Sequence, residues 1–131
     1  MKNVLRIIAG LSGALFLLNG LRWIVDPSMV AESLGMPLLE GVGLSTQIGD
    51  MGSFFLTVGA MTLIGVFTKT RHWFFAPSML LLVAALYRTL ASVLHGAPFV
   101  LSSIVVEVTV GLFLIFVGSK ISKGEQQHEI N

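Results

Sequence analysis

Arg22, Asp50, Arg88 and Glu107 are charged residues set inside otherwise apolar stretches. A charge near the centre of a bilayer costs a few kcal/mol on insertion scales, so residues of this kind stand out. A carboxylate accepts charge-assisted hydrogen bonds and a guanidinium donates them in a fixed fork. Two of each sum to zero, and such a set supports two chemistries. One is an ion-pair network that ties helices together. The other is a site that meets a polar ligand head or relays protons. Helical spacing gives each charge company on its own face: Ser12 and Asn19 with Arg22, Gln47, Phe54 and Thr57 with Asp50, Ser92 and His95 with Arg88, Ser103 and Gly111 with Glu107. The candidate site is therefore Arg22, Asp50, Arg88 and Glu107, with Gln47, Asn19, His95, Ser92 and Ser103 beside them.

Other chemistries fit these residues badly. Asp50, Glu107 and His95 have metal-ligand types, but the two arginines oppose a cation and the spacing matches no common site, so no metal is expected. Ser92 or Ser103 with His95 has no G-x-S-x-G or similar context for a nucleophile. There is no cysteine, hence no disulfide, thiol redox centre or thiolate site. A net charge of +1 gives no electrostatic footprint for nucleic acid. No catalytic residue and no cofactor are expected, and an enzyme is the least favoured class.

The elements that must position these residues are long and apolar. Of the 131 residues, 54% are hydrophobic and 11% charged, and the mean hydropathy is +0.87. A soluble domain carries roughly 25% charged residues. Four apolar segments run from about Val4 to Val25, Leu44 to Phe67, Trp73 to Leu94 and Phe99 to Gly118. Each is long enough to cross a hydrocarbon core of about 30 Å. The short turns between the later segments predict antiparallel neighbours, and thus an all-α, polytopic four-transmembrane-helix bundle over residues 1–119 with a polar tail over 120–131. Counted from the segment ends, the four charges lie about 6 to about 13 Å deep in the same half of the membrane.

Basic residues set the orientation. Lys2, Arg6, Lys69, Arg71, Lys120 and Lys123 fall on one side, which the positive-inside rule makes cytoplasmic, with both termini. The opening run, Lys2 and Arg6 before an apolar stretch, lacks an A-x-A-like site and reads as an uncleaved span. The first loop carries Asp26, Glu32 and Glu40 and lies outside. Within it Asp26 suits an N-cap, Pro27 a first helical position and Gly35 a helix end, which predicts a short helix resting on the membrane interface. Trp23 and Trp73 are expected as interfacial anchors at opposite faces. Pro98 is expected to open the fourth span. Gly10, Gly13, Gly49, Gly59, Gly65, Gly111 and Gly118 form small-residue patches suited to close helix packing. The tail GEQQHEIN reads as disordered.

A first span ending Arg22-Trp23-Ile24-Val25-Asp26-Pro27, a second opening Gln47-Ile48-Gly49-Asp50-Met51-Gly52-Ser53-Phe54-Phe55, Arg88 late in the third and Glu107 inside the fourth resemble a family of small bacterial four-helix inner-membrane proteins that is loosely DoxX-like. The resemblance covers about Leu5 to Gly118. It implies a multi-pass protein of the bacterial inner membrane and carries no established activity. DoxX itself names a subunit associated with a quinone-reducing oxidoreductase, but this chain has no redox-cofactor residues of its own.

The expectation is a non-enzymatic binder of a lipid head, quinone-like or other small amphiphilic molecule in the outer half of the bundle. The rival readings are a structural or accessory subunit of a larger complex or homo-oligomer, and a small proton-coupled transporter acting as an oligomer. Because the chain has no cysteine, orientation is directly testable by single-cysteine labelling of intact cells. Glu32→Cys and Glu40→Cys should react with an impermeant maleimide and Thr70→Cys should not. Labelling at position 70 alone would invert the assignment.

Overall fold

A computed structural model describes residues 1–129, with side chains through residue 121. All of its regular elements are helical: α1 (Lys2–Val25), α2 (Pro27–Ser33), α3 (Gly41–Thr68), a 3₁₀ turn (Arg71–Phe74), α4 (Phe75–His95) and α5 (Leu101–Glu129). Four helical stretches are long and apolar enough to cross a membrane: Lys2–Val25, Gly41–Thr68, Arg71–His95 and Leu101–Ile121. The protein is all-α, with no strand among the described residues.

The boundaries follow local chemistry. The Asp26 carboxylate accepts from the Met29 N–H at 3.2 Å and from the Ser28 hydroxyl at 2.9 Å, with Pro27 at the first position of α2. That is the cap the sequence implies. Gly96, with φ at +66°, ends α4, and the Gly96 and Ala97 N–H groups donate back to Ser92 and Ala91. This paired closure needs a left-handed residue, which glycine supplies without strain. Pro98 then lies in the connection instead of opening α5, which begins at Leu101. Pro77 sits in the first turn of α4, where its missing N–H removes no helical bond. The expected disordered tail is corrected in part: α5 continues past Gly118 to Glu129, since helix-forming Lys, Glu and Gln follow with no proline to stop it. Residues 130 and 131 of that tail lie outside the described residues.

Two helix pairs dominate the packing. In the first, α1 lies on α3 at backbone distance. A Cβ on Gly20 would stand 2.5 Å from the Leu56 nitrogen, and one on Gly59 would collide with the Leu17 backbone and lie 2.6 Å from the Gly13 carbonyl oxygen. The matched positions run in opposite order along the chains: Gly10 with Val66, Gly13 with Thr62, Gly20 with Leu56, Trp23 with Gly52. In the second pair, Gly111 of α5 receives Leu82 of α4, and Gly118 receives Phe74. Van der Waals contact drives helix pairing where lipid competes equally for apolar surface, so small residues at the seam are the physical requirement.

Between the pairs lies a core of Ala9, Val58, Val66, Phe74, Leu81, Leu114, Val117 and Ile121. A smaller core at the other end holds Trp23, Val30 and Ala31, with Met36, Ile48, Met51 and Phe55 against it. Trp23 is wholly buried there, which corrects its expected role as an interfacial anchor. The reason is α2, which folds back from Pro27 and lays Val30 and Ala31 over the indole. Trp73 keeps 37% of its surface exposed.

The seam makes a paired expectation. Gly59→Ala forces α1 and α3 apart and should cost about 1 to about 3 kcal/mol, as overpacking does. Gly49→Ala meets nothing within 4 Å and should leave stability unchanged or raise it by up to about 1 kcal/mol through helix propensity. Thermal melts of the two variants in one detergent compare them directly.

Candidate functional site

The residues of the site are placed by the rotation of α3 against α1. With Gly52, Leu56 and Gly59 turned to α1, the 100° step per residue sends Asp50 and Phe54 to the opposite face and Met51 and Phe55 to an intermediate one, with Met51, Phe54 and Phe55 reaching the second helix pair. Those three side chains join Phe16 of α1 and Leu81 and Ala84 of α4 in the wall of a half-open cavity of about 380 Å³. Phe16 stacks on Phe55 at 5.9 Å between centroids, and Phe54 meets Phe55 edge-on at 5.3 Å. Ser102, Ser103, Val106 and Glu107 of α5, Arg88 of α4 and Leu34 from the end of α2 complete the lining.

The polar end of this cavity is one ion pair. The Arg88 Nε donates to the Glu107 Oε1 at 2.8 Å, joining α4 to α5. The two partners are unequal. The Glu107 side chain is 11% exposed and that of Arg88 40%. The Glu107 Oε2 is buried and has no hydrogen-bond partner among the described residues. A buried carboxylate oxygen without a donor is costly, so this atom is the one place in the site with an unmet chemical demand. Arg88 spends one N–H on Glu107, and its exposed edge keeps other donors available.

The remaining expected residues lie elsewhere. Asp50 is exposed and forms no ion pair among the described residues, and Arg22 is exposed with its Nη2 3.9 Å from the Met29 sulfur. Arg88–Glu107 is the ion pair among the described residues, so the four charges do not close into one network. Their levels do agree: Trp23, next to Arg22, packs on Gly52, and Met51, next to Asp50, shares the cavity with Arg88 and Glu107. They share a level, but Arg22 and Asp50 are exposed and only Arg88 and Glu107 meet. Asn19 and Arg22 line a separate shallow groove with Leu15 and Leu18 on the outer face of α1. Gln47 is buried and structural. Its amide nitrogen donates to the Pro37 carbonyl at 3.1 Å and its Oε1 accepts from the Leu39 N–H at 3.0 Å, which ties the loop before α3 to that helix. Ser92 is half-buried in α4 and lends its carbonyl to the cap at Gly96. His95 is exposed in the last turn of α4. Ser103 does line the cavity.

Phe54 shares the helical face of Gln47, Asp50 and Thr57 and was within reach of that spacing; Phe16 and Phe55 were the missed part. A search for polar stripes passes over them, because an aromatic at helical spacing is ordinarily core. The adjacent pair Phe54-Phe55 after Ser53, facing Phe16 across the seam, was the available signal. The arrangement can hold a molecule with an apolar body along the ring wall and a small polar head between the Glu107 Oε2 and Arg88. Its volume lies within the ordinary range of small-ligand sites. Among the described residues no group of three His, Cys, Asp or Glu could hold a metal ion.

The asymmetry of the pair yields an order of stabilities. Arg88→Met strands a buried carboxylate and should cost about 2 kcal/mol or more. Glu107→Gln leaves a half-exposed guanidinium and should cost about 1 kcal/mol. Arg88→Met with Glu107→Met should recover part of the first loss, which a double-mutant cycle of melting free energies measures. Equal single losses that simply add would remove the pair from the structure's energetics.

Compared with known proteins, the chain matches no family model, no curated protein and no solved structure, so its chemistry rests on its own residues.

Proposed function

We propose that this protein is a small membrane protein that binds an amphiphile in the cavity between its two helix pairs, with the polar head at Arg88 and Glu107. In this reading the four long helices cross the bacterial inner membrane as an antiparallel bundle, DoxX-like in type, with both termini cytoplasmic. α2 rests at the outer interface and covers the cavity end through Leu34.

The observation that carries the reading is the unpartnered, buried Glu107 Oε2 in an otherwise apolar cavity of about 380 Å³. A donor on the ligand, such as a hydroxyl or quinol O–H, satisfies that oxygen. An acceptor, such as a quinone carbonyl, satisfies the free edge of Arg88. Ser102 and Ser103 add hydroxyls beside them. The phenylalanine wall suits a ring or an acyl stem. A neutral head with one donor and one acceptor matches the pair better than a charged one, since the ion pair is already neutral.

The second reading is an accessory subunit in which the pair only locks α4 to α5. The 2.8 Å Arg88–Glu107 bond between neighbouring helices favours it. The two are separated by filling the cavity without touching the pair. Wild-type protein should co-purify with a lipid or quinone-like molecule detectable by mass spectrometry of its organic extract. It should also melt higher with an added short-chain quinone, by about 2.7 kcal/mol at 100 times Kd. Ala84→Phe should remove both signals while leaving the fold intact. Wild-type protein with no bound amphiphile and no shift would defeat the binding reading and leave the accessory one.

A further inference from the structure

The opposite end of the α1–α3 seam holds a second site, independent of the cavity above. Arg6 reaches from α1 to α3, and its Nη2 donates to the Val66 carbonyl at 3.0 Å. Val66 belongs to the last turn of α3, whose carbonyls have no partner within the helix, so this bond caps that end. The guanidinium is not satisfied by it. Among the described residues its buried Nε has no hydrogen-bond partner and no carboxylate lies within 4 Å of it. Neighbouring cations at this end are engaged differently: Arg71 lies 5.1 Å over the Phe75 ring and Lys120 5.4 Å over Phe116. Arg6 has no ring.

Below Arg6 runs a groove of about 500 Å³ between the two helices, floored by Gly10 and flanked by Ile7, Leu11, Leu63 and Phe67. Gly10 keeps it open, since a Cβ there would meet only the Val66 Cγ1, at 3.8 Å. The flanks are strongly exposed, Ile7 and Leu11 at 62% and Phe67 at 76%. The charged residues at this end of α1 and α3 are basic. Lys2 and Lys69 adjoin the groove in sequence, whereas Asp26, Glu32 and Glu40 lie in or beside α2 and its loops at the other end of α1 and α3, and Asp50 and Glu107 lie in the first halves of α3 and α5.

We propose that this groove binds one anionic phospholipid, its phosphate on Arg6 and one acyl chain along Gly10 between Leu11 and Leu63. A phosphate oxygen supplies the acceptor that the Arg6 Nε lacks and balances the basic end, and the chain covers apolar surface that continues directly from the head site. A free phosphate would use the first half of the site only, and a zwitterionic lipid would lack the net charge that the lysines attract.

The test is native mass spectrometry of the full chain in a neutral detergent, titrated with phosphatidylglycerol, with phosphatidylcholine of the same acyl chains, and with inorganic phosphate. Phosphatidylglycerol should bind one per chain, at least tenfold tighter than phosphatidylcholine, and phosphate alone should not be retained. Arg6→Gln should erase the preference. Because Arg6 also caps α3, Gly10→Leu serves as the second variant: it fills the groove, keeps the Arg6–Val66 bond and should weaken phosphatidylglycerol at least tenfold. Equal retention of the two lipids, retention of phosphate as strong as that of the lipid, or a folded Gly10→Leu that binds like wild type would each overturn the proposal.

Discussion

The backbone contact between α1 and α3, made where Gly20 and Gly59 have no side chain, governs the arrangement of every other group. At that distance two helices have very little freedom to rotate about their own axes, because a turn of one residue would drive Leu17 or Leu56 into the opposing backbone. In hydrocarbon there is no water to expel, so the attraction must come from this close van der Waals contact. Once α3 is held with Gly52, Leu56 and Gly59 inward, its other faces are committed. Asp50 faces away from α1. Met51, Phe54 and Phe55 face the second helix pair. Gln47 turns under the loop that precedes the helix and bonds to it.

The second pair, α4 with α5, is joined at one end by aromatic and small-residue packing and at the other by the Arg88–Glu107 bond. Phe74 fills the first end against Gly65 and Gly118. Towards the second end the side chains leave a cavity, and the only charged groups on its wall are the bonded pair. Apolar walls strengthen that bond by lowering the local dielectric, and they raise the cost of leaving the Glu107 Oε2 without a donor. The same surroundings therefore stabilise the helix pair and create the demand for a polar ligand head.

The two ends of the molecule differ in kind. One has α2, the loop carboxylates, a buried Trp23 and the cavity. The other has lysines and arginines around the last turn of α3 and the start of α4. Arg6 shows how a single cation serves this basic end, reaching across the seam to a carbonyl that the helix itself cannot satisfy.

Much of this was legible without coordinates. Hydropathy and length determined four long apolar helices, since each stretch must satisfy its own backbone in an apolar medium. The short helix at Pro27 followed from Asp26 and its neighbours, because a cap is a local hydrogen bond. The common level of Arg22, Asp50, Arg88 and Glu107 followed from counting residues along each segment. Only the tertiary structure decided which of them meet. Periodicity tells where a residue lies on its own helix, but not which way that helix is turned toward its neighbours. That angle is set by glycine contacts between residues far apart in the chain. It brought Arg88 to Glu107, left Arg22 and Asp50 exposed, buried Trp23 under α2, and assembled from Phe16, Phe54 and Phe55 a wall that neither of the two helical segments displays alone.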